Sequence, residues 1–152
     1  MEMIYPLIST TVTGPLGVVH LPRLWLKTLL HATGRLPEGY RHGMGGFDEM
    51  TLTAIGIEPA AFIDYIEKRL PTYLEFEAWI KANATQLDAE TIAKHNETVR
   101  TRHMREEMAA ERRASLGIPN ADLHEAVILN DLDDWTCVHA QVTRERKGVA
   151  DS

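Results

Sequence analysis

Cysteine is almost absent from this chain, which has one, Cys137, among its 152 residues. A single cysteine cannot form an internal disulfide, so the sequence excludes both a disulfide scaffold and a cysteine-rich zinc ribbon. The same scarcity favours a reducing cytoplasm as the compartment in which the protein works. A domain of this length buries roughly 68–70% of the surface that its unfolded chain exposes, so it can form a core without disulfides or a structural metal.

The sequence also lacks an excess of positive charge and a long hydrophobic run. It has 16 Lys+Arg against 22 Asp+Glu and a formal net charge of −6, whereas a nucleic-acid-binding face needs basic residues that neutralise phosphates. The longest apolar stretch, residues 18–30, is interrupted by polar residues and falls short of the roughly 18 apolar residues of a membrane span. The first residues include Glu2 and no basic segment, unlike a signal peptide. We therefore expect a cytoplasmic protein that binds neither nucleic acid nor membranes.

Hydrophobic residues recur at helical spacing along most of the chain, and alternation of period two is absent after the first twenty residues. Pro22 suits the first turn of a helix, and Thr72 with Glu75 forms a capping box. The pattern predicts a mostly α fold of about six helices, with an irregular or extended N-terminal segment and a glycine-rich loop. We expect a single helical domain, residues 1–142, followed by a frayed tail, residues 143–152.

The longest predicted helix runs from about Asp88 to Leu116. Its apolar stripe is thin and the rest of its surface is charged, which is typical of a helix that lies across a surface or packs on a partner chain. Two short helical pieces are predicted after it, around Ile128 and Trp135. One hypothesis is therefore a non-enzymatic binding or dimerisation domain that uses helix 88–116.

A glycine-rich segment, residues 34–46, is followed closely by Asp48, and several chemically active side chains fall here. His42 can transfer a proton near neutral pH, and Asp48 can orient it or act as a base. Arg23 or Arg41 can hold an anionic group in a bidentate contact. The alternative is structural: Asp48 caps a helix, Arg23 makes a surface salt bridge, and the loop side chains only pack the loop.

On the enzymatic hypothesis, the protein is a small cofactor-independent lyase, isomerase or decarboxylase that acts on a small organic substrate, including an aromatic one, and works as a homo-oligomer, a dimer. No nucleotide-binding motif and no metal-ligand spacing occurs, so neither a cofactor nor a metal is predicted. The predicted catalytic residues are His42, Asp48, Tyr40 and His20. The predicted substrate-binding residues are Arg23, Arg41 and Trp25.

Several segments resemble, in their order, one bacterial family. They are Gly17-Val18-Val19-His20-Leu21-Pro22-Arg23-Leu24, then Gly39-Tyr40, Asp48, Ile55-Gly56-Ile57 with Phe62, and Glu77-Ala78-Trp79-Ile80 with His95-Asn96-Glu97. Over about residues 14–100 the chain resembles the "domain of unknown function 5069" family of small, mostly helical proteins. A weaker resemblance to the same family is found near residues 131–135. The resemblance implies a helical domain and carries no catalytic assignment. The family's usual Cys-x-Leu-Asp is Gly45-Gly46-Phe47-Asp48 here, so any role of that cysteine is absent.

Overall fold

The computed structural model describes the backbone of residues 2–150 and the side chains of residues 2–144. Within this range it has seven α-helices and no strand, which confirms the mostly α prediction. They are α1 (Leu21–Ala32), α2 (Gly46–Ala54), α3 (Pro59–Arg69), α4 (Tyr73–Asn83), α5 (Ala89–Thr101), α6 (Glu106–Ser115) and α7 (Ala126–Ala150).

Backbone contacts group the chain into two compact units, residues 1–100 and residues 101–152. The predicted single domain, residues 1–142, and tail, residues 143–152, stay a prediction. The backbone of α7 runs through most of that tail, but its side chains beyond Arg144 lie outside the described residues.

The first unit is built around an apolar core to which α1, α2, α3 and α4 contribute. Leu21 and Leu24 of α1, Phe62 of α3 and Phe76 of α4 are fully buried, and the two phenylalanine rings pack with centroids 5.5 Å apart. Burying a side chain of this size stabilises the folded chain by about 1.5–3 kcal/mol. The predicted capping box opens α4, with Thr72 and Glu75 bonding each other's backbone N–H groups.

Side chains from α1 and α5 hold the irregular N-terminal segment in place. The Asn96 side chain accepts a hydrogen bond from Val19 N at 3.0 Å and donates one to Gly17 O at 2.7 Å. Arg23 donates to Pro6 O at 2.8 Å. These bonds satisfy backbone groups that have no helix or sheet partner of their own.

The continuous helix predicted from Asp88 to Leu116 is wrong, because α5 ends at Thr101 and α6 begins only at Glu106. Between them, Met104 N donates to His124 O at 2.8 Å, and Ala126 N donates to Arg102 O at 3.0 Å. Backbone groups paired in this way cannot also continue a helix, so the helix is interrupted. The stretch 88–116 is therefore two helices, and the hypothesis that it binds a partner or dimerises stays a prediction.

The second unit is formed by α6 and α7 and has a smaller apolar interior. Ala109, Val127 and Leu129 are buried there. Buried Arg113 donates to Leu123 O at 2.9 Å and to Glu106 Oε1 at 3.0 Å. Helix α7 is one helix of 25 residues, whereas two short helices were predicted around Ile128 and Trp135.

No helix in the described part of the chain is long and apolar enough to cross a membrane.

Candidate active site

His20 lies at the entrance of α1 in a strained backbone conformation. Its φ is 76°, in the left-handed region, and it is the N-cap residue of the helix. A non-glycine residue in this region costs about 1–3 kcal/mol and persists only where the surroundings hold it. Both ring nitrogens are bonded: Nδ1 lies 3.1 Å from Thr10 Oγ1, and Nε2 lies 2.6 Å from Asp48 Oδ1.

Asp48 is the third residue of α2, and its buried carboxylate receives donors from three segments. Its Oδ1 accepts from His20 Nε2 and from Lys27 Nζ at 2.8 Å, and its Oδ2 accepts from Gly43 N at 2.9 Å. The predicted role as a helix cap is wrong, because the N-cap residue is Gly45, which makes no side-chain cap bond. Asp48 instead ties the glycine-rich loop to α1.

The protonation states in this cluster follow from burial and charge. Burial alone raises the pKa of Asp48, but the hydrogen bond from His20 and the charge of Lys27 outweigh it and lower the pKa to about 2. Burial lowers the pKa of His20 below its usual value, against the opposing effect of Asp48. His20 is therefore neutral at pH 7: Nε2–H donates to Asp48, and Nδ1 accepts from the Thr10 hydroxyl. A neutral imidazole beside one carboxylate and one ammonium gives no net buried charge.

His42 lies in the glycine-rich loop, stacked on His31 of the last turn of α1. The ring centroids are 3.5 Å apart and the planes are 19° from parallel. Burial lowers the pKa of His42, as does the neighbouring His31, while Asp48 acts in the opposite direction. Its Nδ1 is buried, and no group of the described residues bonds it. The residue as a whole is partly exposed, and a neutral imidazole that a substrate can reach can act as a general base.

Arg23 and Tyr40 belong to a neighbouring cluster that holds the N-terminal segment. Nη1 of Arg23 donates to both Pro6 O and Ile8 O, and the guanidinium lies 5.9 Å from the centre of the Tyr40 ring. Tyr5 packs edge-on against the same ring. Arg23 is 6% exposed, so it does not lie at the surface, where the salt-bridge alternative placed it.

Arg41 and Trp25 make contacts of a different kind. The exposed Arg41 side chain crosses the backbone at Gly45 and Gly46, with Nη1 where a β-carbon of either residue would clash. Trp25 donates from Nε1 to Pro71 O at 3.0 Å. At 3.6 residues per turn it points roughly 200° around the α1 axis from Lys27, away from the cluster.

The structure thus brings His20 and Asp48 into contact and places His42 beside them. Three participants were missed by sequence reasoning: Thr10, Lys27 and His31. Lys27 follows His20 by seven residues and precedes His31 by four, so helical periodicity could have found this polar face of α1. Thr10 lies in irregular chain and carries no such signal.

In the described part of the chain, no cluster of three or more His, Cys, Asp or Glu side chains could hold a metal ion.

A family model described as "Domain of unknown function (DUF5069)" matches residues 10–136. The match confirms the resemblance drawn from the sequence. The matched range also contains residues 131–135, where the resemblance was weaker. No curated protein matches the chain.

Proposed function

The chain belongs to the DUF5069 family, and we propose that in this member His42 and the Asp48 cluster form a cofactor-independent acid–base site for a small organic substrate. The observation that carries the proposal is the buried Lys27–Asp48–His20 cluster lying next to a partly exposed, neutral imidazole. Perturbed pKa values gathered around one point are more frequent at catalytic sites than elsewhere in proteins.

His42 acts as the base in this proposal. Its neutral ring takes a proton from an acidic C–H or O–H group of the substrate, and the imidazolium that forms is stabilised by the nearby Asp48 anion. Returning that proton to another substrate atom gives an isomerisation, and returning it to a leaving group gives a lyase reaction. A positioned base of this kind contributes typically about 10²–10⁴-fold to a rate.

Asp48, Lys27 and His20 position the base. The Asp48 carboxylate is already bonded by three donors, so it has little capacity to accept a substrate proton itself. Its bond to Gly43 N fixes the residue that follows His42. Asp48 therefore sets both the place and the electrostatic surroundings of the His42 ring.

Stability alone gives a poor account of this cluster. A buried ion pair can often be replaced by apolar residues with no loss of stability, and the strained His20 backbone costs free energy. The first unit already has an extensive apolar core. Residues kept against a local cost are expected at sites that serve function.

The first experiment identifies ligands and then tests for proton abstraction. Thermal shift is measured against small carboxylates, ketones and phenols, for the wild type, His42→Gln and the exposed control His139→Gln. A ligand at 100 times its Kd adds about 2.7 kcal/mol of stability. Each ligand found is then incubated with the protein in D2O, and deuterium incorporation is followed by mass spectrometry.

We expect deuterium to enter a ligand with the wild type and His139→Gln, at rates at least about 100-fold above those with His42→Gln. Bound ligands that never exchange a proton, or exchange that survives in His42→Gln, would overturn the proposal.

A further inference from the structure

His95 of α5 is a buried histidine to which the proposed acid–base chemistry assigns no role. It is 5% exposed. Its Nε2 lies 3.1 Å from the hydroxyl oxygen of Thr51, and the backbone of Val19 forms a hydrogen bond to the same ring. Both partners are uncharged polar groups, so the effect of the ring depends on where these groups lie.

The partners of His95 lie on either side of the contact between His20 and Asp48. Val19 immediately precedes His20, and Thr51 follows Asp48 by three residues in α2. Residues three apart in a helix are neighbours on its surface, so the Thr51 hydroxyl projects from the side of α2 that carries the carboxylate. His95 therefore links the backbone before the histidine with the helix that supplies its acidic partner.

The bonds of His95 require one tautomer of the neutral ring. Burial lowers its pKa, and the Val19 backbone acts in the opposite direction, as a carbonyl acceptor does. Since Nε2 faces the Thr51 hydroxyl, Nδ1–H donates to the Val19 carbonyl and Nε2 accepts from the hydroxyl. A rigid ring that donates at one nitrogen and accepts at the other fixes the separation of its two partners.

The next residue of α5 holds the same stretch of backbone. Asn96 accepts from Val19 N at 3.0 Å and donates to Gly17 O at 2.7 Å, so α5 bonds both the N–H and the C=O of Val19. His20 follows with a φ of 76°, and a left-handed residue of this kind keeps its conformation only where its surroundings hold it. The bonds to Val19 supply part of that constraint.

We propose that His95 is a positioning residue for the acid–base site: it holds the backbone before His20 against α2, at the separation at which His20 Nε2 meets Asp48. This role rests on the proposed function of that site. Asp48 also accepts from Gly43 N, next to His42, so a displaced carboxylate would displace the base as well. His95 is buried and acts only through these neighbours.

A matched pair of variants at Thr51 separates the hydrogen bond from packing. Thr51→Val keeps the shape of the side chain and removes the hydroxyl, whereas Thr51→Ser keeps the hydroxyl and removes the methyl group. His95→Phe removes both bonds and keeps a planar ring. Ile80→Val, at a fully buried position of α4, is the control for a general loss of stability, and urea denaturation compares the four variants.

Proton NMR on the ligand-free chain measures how firmly His20 is held. Its Nε2–H, bonded to Asp48, should exchange with water about fivefold faster or more in Thr51→Val and His95→Phe, because a lost hydrogen bond makes local opening easier. Thr51→Ser and Ile80→Val should keep the wild-type rate. Wild-type exchange in Thr51→Val, or equally fast exchange in Thr51→Ser and Thr51→Val, would overturn the proposal, even if His95→Phe does not fold.

Deuterium uptake connects the position of His20 to the chemistry. For a ligand into which the wild type introduces deuterium, Thr51→Val should slow uptake by about tenfold or more, because small displacements of catalytic groups are costly. The Kd of the ligand should stay unchanged, and Thr51→Ser should keep the wild-type rate. Unchanged uptake in Thr51→Val would contradict the role of His95. A complete lack of ligands that exchange would instead count against the proposed function, and the NMR measurement on the ligand-free chain would still decide whether His95 positions His20.

Discussion

The two units of the chain are stabilised in different ways. The first unit encloses an apolar core and, beside it, a polar cluster that is equally buried. The second unit buries few large apolar side chains and relies on Arg113 bonded to a backbone carbonyl and to Glu106, while its α7 leaves large apolar residues exposed. The comparison teaches that an extensive apolar core stabilises the first unit enough to tolerate a costly buried polar cluster. The second unit has fewer buried apolar side chains and leaves part of its apolar surface exposed.

The largest expected effect comes from the apolar core of the first unit. Phe62→Ala removes a fully buried ring that packs on Phe76 and should lower the free energy of unfolding by about 3–5 kcal/mol. Urea denaturation measures the loss, with the exposed Leu74→Ala as the control. A loss below about 1 kcal/mol would mean that the core matters less than its burial indicates.

The buried ion pair tests whether the polar cluster serves stability. Lys27→Met leaves the Asp48 carboxylate buried without its cation and should cost about 3–5 kcal/mol. The double variant Lys27→Met, Asp48→Leu removes both charges but leaves the donors on His20 and Gly43 without their acceptor, so it should recover only part of that loss, while proton exchange into a ligand is lost. A double variant as unstable as the single one would show that the pair is needed for folding.

A smaller effect is expected where α5 holds the turn before His20. Asn96→Ala removes two hydrogen bonds to the backbone of Gly17 and Val19, and leaving those groups unpaired should cost about 1–3 kcal/mol. If the turn positions the cluster, the His20 and His42 ring signals in NMR should also shift. Asn120→Ala, at an exposed position, is the matched control and should change neither quantity.

The pH dependence of stability should come from the first unit. His20 has a native pKa below its unfolded value, so the unfolded chain binds more protons as pH falls below about 6.5, and stability falls with it. Asp48, lowered to about 2, keeps its contribution above pH 4 and loses it towards pH 2. Urea midpoints from pH 7.5 to 5.5 measure the first effect, and a flat profile would mean that His20 is not buried in its neutral form.

The features that could be predicted from the sequence depend on neighbouring residues. The features that could not be predicted depend on contacts between residues far apart in the chain. The capping box at Thr72 and the helix at Pro22 follow from neighbouring residues, so periodicity and capping chemistry found them. His20 and Asp48 were both predicted, but their junction with Lys27 depends on how α1 meets α2. The break after Thr101 depends on pairing with residues 124–126, since no glycine or proline marks it. Trp25 was predicted to belong to the site, but it is two residues from Lys27 on α1 and therefore lies on a different face of that helix.

The smallest expected effect completes the comparison between the units. Trp135→Ser should change the free energy of unfolding by less than about 0.5 kcal/mol, because the side chain is 60% exposed and surface changes rarely exceed that. Urea denaturation of the wild type and the variant measures the difference. A large loss would mean that Trp135 supports the packing of its own unit, in spite of its exposure.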